Sequence, residues 1–431
     1  MRDFAVSDSP EVQAQLDRLG ALAVPQGRLG LETIRMLLAR LGDPQKHLPP
    51  TFHVAGTNGK GSTCTYLRAM LEAQGLTVHT ATKPHLVRYN ERIRLAGKLI
   101  DDGMLATLLA EVLDTGEDLA PSFFEVTTAA IFLAFARVPA DACVIEVGLG
   151  GRFDATNVIE HPAAVGIVTL GIDHEAFLLR PEPGVPQEPL ARIAFEKAGI
   201  VRPGAPACTL AYPESAELEI ERAAMTAGAP LHMRGRDWDA SVGERIEYSD
   251  RHGELVLPLP SLPGSHQAEN AALAVAILRH QDRVSVSPEA MARGIEAARW
   301  PARLQRLSAG PLTHFAGARE VWLDGGHNPD AGLAIGRHFA GQRLHLVIGM
   351  LANKDPGAIT DPLAANLASI RAVPVPGHEC HGPASFGSKA LAARSVEEAL
   401  AALPDDGLPV LIAGSLYLSG EVLRANDEIP D

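Results

Sequence analysis

At 431 residues the chain exceeds the usual size of one core, so two domains are expected, and 46% hydrophobic with 21% charged residues is ordinary globular composition. A formal charge of −14, with no basic run to offset it, argues against a nucleic-acid partner or an anionic membrane surface. The four cysteines (Cys64, Cys143, Cys208, Cys380) form no Cys-x-x-Cys pair, the N-terminus lacks signal-peptide order, and no apolar run approaches a membrane span, so a soluble cytoplasmic protein with reduced thiols is expected.

Two helix-like runs come first, at 9–19, where Ser9 is the N-cap and Pro10 opens the first turn, and at 31–41. From Thr51 to about Leu210, β-branched runs at 51–55, 77–81, 142–147, 164–170 and 206–210 alternate with helical patterns near 60–74, 103–113, 123–136 and 188–198. That alternation predicts βαβ units and a mostly parallel sheet flanked by helices. The Pro-rich stretch 181–189 cannot be helical and is expected as a surface loop. Residues 231–260 read as a few short strands with a turn at Asp250-Arg251-His252-Gly253, and helices are expected at 266–280 and 288–298. Arg299-Trp300-Pro301-Ala302-Arg303 reads as a hinge. Beyond it, strands are expected near 320–324, 344–349, 371–375 and 409–413, with helices near 329–340, 360–369, 395–403 and 416–426. The expected architecture is α/β: a P-loop-type domain over 1–298 and a second, smaller Rossmann-like domain over 299–431.

Residues 53–63, His-Val-Ala-Gly-Thr-Asn-Gly-Lys-Gly-Ser-Thr, carry the strongest chemical signal. A strand, a Gly-rich turn and a helix N-terminus make a phosphate cradle, because free N–H groups and the helix dipole face the anion. Gly56, Gly59 and Gly61 let the backbone approach phosphate oxygens, with Thr57 and Asn58 between them. Lys60 supplies a point charge, and Ser62 or Thr63 offers a hydroxyl to Mg²⁺. Gly61 separates Lys60 from Ser62, so the strict Walker spacing is not kept. ATP is the expected ligand. Glu146 lies among apolar residues near the end of a central strand, where a carboxylate needs a partner or a cation. His174 ends another strand and could ligate a metal, shuttle protons or be structural. Lys197 sits on an otherwise apolar helix, where a lone lysine would snorkel at the core edge.

Taken together, these segments resemble the folylpolyglutamate synthase/dihydrofolate synthase family, within the wider Mur-ligase-like amide ligases. The resemblance also rests on Leu29-Gly30-Leu31-Glu32, Pro84-His85-Leu86-Val87-Arg88, Phe123-Phe124-Glu125, Glu196-Lys197-Ala198-Gly199, Pro301-Ala302-Arg303, Asp324-Gly325-Gly326-His327-Asn328-Pro329 and Gly414-Ser415-Leu416-Tyr417-Leu418. It implies ATP-driven ligation of L-glutamate to dihydropteroate and to tetrahydrofolate or its polyglutamates. The acceptor carboxylate takes the γ-phosphate, and the glutamate amine then attacks the acyl phosphate. The protein's part is chiefly positioning and charge neutralisation.

The resemblance also implies roles for single residues. Lys60 would steady the outer phosphates, Ser62 and Glu146 would hold a first Mg²⁺, and His174 a second. Lys197 would be carbamylated by CO₂, turning a cation into an anion that supports the second metal. Asn270, Arg303 and Asp324 match nucleotide-contacting positions, with Arg303 suited to a closing motion. His327 would meet glutamate. Leu29, Gly30, Leu31, Glu32, Ser122, Phe123, Phe124, Glu125, Phe153, Asp154 and Ala155 match the pterin-side segments. Phe123 or Phe124 would either stack on the pterin or pack in the core. A monomer is expected.

One position departs from the pattern: Lys83 stands where the family usually has a metal-ligating Ser. An ammonium cannot ligate a cation. Either Thr82 takes over, Lys83 binds phosphate, or the metal keeps an extra water. The rival readings are an enzyme that only extends folates, a peptidoglycan-precursor ligase, and a nucleotide-binding regulator without turnover.

Overall fold

The computed structural model describes residues 6–22 and 30–431. They fall into two units: one comprises Met1–Pro84, Arg88–Ser261 and Ala268–Ala298, the other His85–Val87, Leu262–Gln267 and Arg299–Asp431.

The first unit is built on strands β1 (Thr51–Ala55), β2 (Val78–Ala81), β3 (Ile93–Leu95), β4 (Lys98–Leu99), β5 (Ala142–Glu146), β6 (Ala164–Ile167), β7 (Ala207–Thr209) and β8 (Leu231–Met233). They form one sheet in the order β4-β3-β2-β5-β1-β6-β7-β8. The six strands from β2 to β8 pair in parallel, and β3 and β4 add an antiparallel hairpin at the edge. β1, β2, β5 and β6 are buried along their whole length, which explains why they read as continuous apolar or β-branched runs. From β1 the strand order runs to β5 and β2 on one side and to β6, β7 and β8 on the other. The carboxyl end of β1 is therefore a topological switch point, where ligands of open α/β sheets bind.

One core of this unit joins Ile34, Leu37, Leu109, Phe132, Cys143 and Ile145; a second joins Ala55, Val165, Ile167, Ala194 and Ile220. A small antiparallel sheet of β9 (Trp238–Val242), β10 (Ile246–Asp250) and β11 (Gly253–Leu257) follows. Its hairpin turn falls at Asp250 to Gly253, as expected.

The second unit carries β12 (Gln305–Arg306), β13 (Val321–Asp324), β14 (Leu344–Ile348), β15 (Leu367–Ala372), β16 (Leu391–Ala392) and β17 (Val410–Ala413), in the order β12-β13-β17-β14-β15-β16. All neighbours are parallel except β12 and β13.

The expected α/β class, with a large mostly parallel sheet and a second sheet unit, is borne out. Some elements were missed and three local expectations are corrected. A helix at Glu214–Ala227 was not foreseen. The β3–β4 hairpin was not foreseen either. The helix expected over 360–369 runs instead over Gly357–Leu363, and the strand expected at 371–375 begins earlier, at Leu367. The loop at 181–188 is not wholly superficial, because Glu182 turns inward to pair with Arg152 (2.7 Å) and Arg192 (3.2 Å).

Candidate active site

The turn after β1 is held open by its glycines. Gly56 (φ +150°) and Gly59 (φ +88°) hold φ values that other residues seldom adopt. A Cβ on Gly59 would lie 2.5 Å from Asn270 Oδ1, which places Asn270 directly against the turn. Thr57 N–H donates to Thr169 O (2.8 Å) and Thr57 Oγ1 to Gly171 O (2.8 Å), binding the turn to the segment after β6. Asn58 N–H reaches the same Thr169 carbonyl (3.4 Å). Lys60 opens the helix Lys60–Ala73, and its ammonium donates to the carbonyls of Gly56 (2.9 Å) and Thr57 (3.0 Å).

Lys197, near the end of the helix Pro189–Ala198, donates to the Gly56 carbonyl as well, at 2.8 Å. Burial, and next the Lys60 charge, push the Lys197 amine well below its ordinary pKa, against the pull of Asp173, Asp154 and Glu196. Gly56, Lys60, Lys197, Asp173 and His174 line one cavity of about 20 Å³, together with Thr57, Val147, Gly148 and Gly150. His174 holds φ +54° at the start of the one-turn helix Glu175–Leu178.

The opposite wall is the turn after β5. Asp154 organises it: Oδ2 accepts from Gly148 N (3.0 Å) and Leu149 N (2.8 Å), and Oδ1 accepts from Thr156 N (3.0 Å) and Thr156 Oγ1 (2.6 Å). Those bonds and the Lys83 charge hold its carboxyl below the ordinary value despite burial. Thr156 Oγ1 also meets His53 Nε2 at 2.8 Å, and burial pushes His53 down to about 3. Arg152 bonds Glu196 (2.7 Å) and Glu182 (2.7 Å), and Arg152 N–H donates to Glu196 O (2.7 Å), fixing this turn to the Lys197 helix.

Glu146, 4% exposed, ends β5 opposite Val54 and accepts from Lys83 N–H (3.0 Å). Ser62 is 3% exposed, and beside it Thr63 Oγ1 is buried with no hydrogen-bond partner among the described residues. Among the described residues no three His, Cys, Asp or Glu side chains gather as a metal cage. Mg²⁺ does not require one, since it is usually held by one or two protein oxygens, phosphates and water. An unpartnered buried hydroxyl and a buried carboxylate fit that ion.

The residues expected on the pterin side are more dispersed in their bonding. Leu29 lies outside the described residues. Gly30 precedes Leu31, which is buried as the N-cap of the helix Glu32–Arg40, and Glu32 is exposed in its first turn. Ser122 and Glu125 bond each other (2.7 Å) in a capping box on the helix Phe123–Arg137. Phe123 lies edge-on to Tyr89 and Phe124, and Arg92 sits 5.7 Å from its ring centre. Phe153 stacks under Arg152 (4.2 Å), and Ala155 is in the core.

Arg303, Asp324 and His327 belong to the second unit, where they group with one another. Asp324 Oδ2 accepts from Leu304 N (2.8 Å) and Oδ1 from Gly326 N (2.6 Å). Burial raises its pKa, and Arg303 opposes the rise. His327 Nδ1 meets Gly325 O at 3.0 Å, and Arg303 Nη1 donates to Ala302 O (3.0 Å). Sequence reasoning gave no site role to Asp173, or to the walls Gly148 and Gly150. Asp173 beside His174 was the available signal.

No family model matches the chain. It is 38% identical over 351 residues to the dihydrofolate synthase/folylpolyglutamate synthase of Escherichia coli strain K12, covering 80% of this chain and 76% of that one. Among solved structures it is similar to E. coli FolC in complex with DHPP and ADP, with a TM-score of 0.85, 32% identity and 97% and 98% of the two chains covered. It is also similar to the bifunctional folylpolyglutamate synthase/dihydrofolate synthase of Yersinia pestis complexed with AMPPNP and Mn ion (TM-score 0.83, 29% identity, 97% and 98% covered). The likeness extends over both sheet units, and the chain belongs to the dihydrofolate synthase/folylpolyglutamate synthase family.

Proposed function

We propose that this protein is an ATP-dependent ligase that joins L-glutamate to dihydropteroate, forming dihydrofolate, and to folates, extending their glutamate chain. The observation that carries this is the convergence of Lys60, Lys197, Asp173 and His174 on one small cavity beneath the Gly-rich turn. A carboxylate is a poor electrophile, and transfer of the γ-phosphoryl group to it creates a leaving group that the glutamate amine displaces. The residues orient the phosphates and neutralise their charge.

In this reading Gly56, Thr57, Asn58, Gly59, Lys60, Gly61, Ser62 and Asn270 hold ATP from the first unit, and Arg303 and Asp324 contact it from residues 299–431. Ser62 and Glu146 would hold one Mg²⁺ and His174 another, where the ions supply charge to polarise the transferring phosphoryl group. Burial disfavours the charged form of Lys197, which favours capture of CO₂ by its amine, and its carbamate would support the His174 ion. His327 would receive glutamate. Phe123, Phe124, Phe153 and the segment around Gly30 to Glu32 would receive the pterin. A monomer acting in the cytoplasm is part of the same proposal; among the described residues no helix is long and apolar enough to cross a membrane.

The extension-only reading draws on one observation: Ser122 and Glu125 are engaged with each other in the capping box. The test is a panel measuring ADP release with glutamate and each of dihydropteroate, tetrahydrofolate and its polyglutamates. ADP release that needs both glutamate and dihydropteroate is expected. Release with folates alone selects extension only, and no acceptor dependence overturns the ligase.

A further inference from the structure

Lys83 lies two residues beyond β2, and β5 stands between β2 and β1. The Lys83 backbone is therefore about 10 Å, two strand spacings, from the strand that feeds the Gly-rich turn. Its N–H is anchored on Glu146 Oε2 at 3.0 Å. Its side chain runs along the turn after β5: a Cβ built on Gly148 would lie 3.4 Å from Lys83 Cδ and 3.5 Å from Nζ. Gly148 is also a wall of the cavity that Lys60 and Lys197 line.

Asp154 is a carboxylate neighbour, yet its oxygens already accept from Gly148, Leu149 and Thr156. Among the described residues no hydrogen bond or ion pair engages the Lys83 ammonium; only the backbone N–H is used. Asp154, and less strongly Glu146, favour its charge across space, but neither accepts a hydrogen bond from it, and a half-buried ammonium lacking such a bond is costly unless a ligand supplies one. Lys60 and Lys197 both bond the Gly56 carbonyl on the β1 side, and Lys83 stands against Gly148, which lines the same cavity.

We propose that Lys83 Nζ is a direct ligand of the acceptor's carboxylate, and of the same oxygens once they carry phosphate. The inference rests on the ligase reading above and assigns its acceptor side. Two anions must meet for the reaction, and a fixed cation between them lowers their repulsion. A carboxylate oxygen attacks the γ-phosphorus, the bond from that phosphorus to the β–γ bridging oxygen breaks, and ADP leaves with the electron pair. Lys83 donates hydrogen bonds throughout and transfers no proton.

The experiment is steady-state kinetics of the full chain, wild type against Lys83→Met and Lys83→Arg, varying acceptor, ATP and glutamate in turn. Hydroxylamine trapping of the acyl phosphate is measured alongside. The expected result for Lys83→Met is a KM for the acceptor raised about tenfold and less trapped hydroxamate, with the KM for ATP held within about twofold; Lys83→Arg recovers part of the loss. If Lys83→Met does not fold, as judged by thermal unfolding, Lys83→Gln decides under the same criteria. A variant that leaves the acceptor KM unchanged, or that raises only the ATP KM, overturns the assignment while the ligase stands. A wild type without acceptor-dependent ADP release overturns both.

Discussion

The imidazole of His280 is wholly enclosed, and neither of its ring nitrogens has a hydrogen-bond partner. It stacks on His232 with ring centres 4.0 Å apart, and His252 lies 5.5 Å away. Asp250 Oδ2 comes within 3.5 Å of Nε2, but Arg279 holds that carboxylate through bonds of 2.7 and 2.6 Å. Burial, followed by His232, pushes His280 down to about 4; Asp250 opposes, while Arg251 and His252 add to the fall. An unfolded histidine titrates near 6.5. As pH falls through that value the unfolded chain takes up the proton first, so stability is lost progressively between about 6.5 and 4. His280→Leu removes this proton linkage along with two unsatisfied polar atoms. We expect the variant to lose about 1 to 2 kcal/mol less than wild type between pH 7 and pH 5, read from urea unfolding at both values. Equal losses would show that His280 does not titrate in that window. None of this was legible from the sequence, where His232 and His280 stand far apart and only the fold stacks them. Lys60 and His174 stood out because each sits in or beside a short motif, and the fold brings both to one cavity; Lys197 read from its residues as a core-edge lysine, whereas the fold buries it and turns it to the same cavity. The part played by Asp154 was not legible, since a carboxylate that organises a turn reads the same as one that binds a substrate.

Helix packing in the second unit depends on glycines that act by being small. The helix Pro329–His338 lies against the helix Gly357–Leu363 so closely that a Cβ on Gly332 would fall 1.8 Å from the Ala358 carbonyl oxygen. At Gly336 the corresponding approach to Pro362 O is 2.9 Å. The obstacle is backbone, so it cannot rotate away and the helices must separate. Gly332→Ala is expected to destabilise the protein by about 3 kcal/mol, against a change within about 0.5 kcal/mol for Gly382→Ala, whose Cβ meets nothing within 4 Å. Denaturation midpoints of the two variants check this, and equal midpoints would refute the close approach. The same scale shows why some elements escaped the sequence. The helix Glu214–Ala227 buries Ala216, Glu219, Ile220 and Ala224, at helical spacing but with only one large apolar side chain, so its periodicity is faint. β15 is half-buried along five of its six residues, and a strand so situated lacks the apolar run that marked β14. The parallel strands of the first sheet were legible because burial on both faces leaves continuous apolar sequence.

The second unit draws on three separate stretches of chain: His85–Val87 and Leu262–Gln267 belong to it as well as Arg299–Asp431. Val87 is buried in its core with Leu312, Val321 and Leu418. A Cβ on Gly420 would lie 1.9 Å from the Leu86 carbonyl oxygen, and Arg424 Nη2 donates to Val87 O at 3.1 Å. His266, pushed down to about 4 by burial and then by Arg303, marks how deeply the other stretch is set. A boundary placed at residue 299 from sequence would therefore cut away two pieces of the unit's packing. Burial of a side chain such as Val87 stabilises by about 1.5 to 3 kcal/mol. The isolated fragment 299–431 should accordingly be less stable than the same unit within the whole chain by at least about 2 kcal/mol. Hydrogen exchange measures this locally, since the amides of β13 and β17 report the opening of that unit in either context. Faster exchange in the fragment is expected, concentrated at β13, β17 and the helix Leu416–Ala425. Exchange at the same rate in both would mean that residues 85–87 and 262–267 add nothing to the unit and that the contiguous stretch is the true domain.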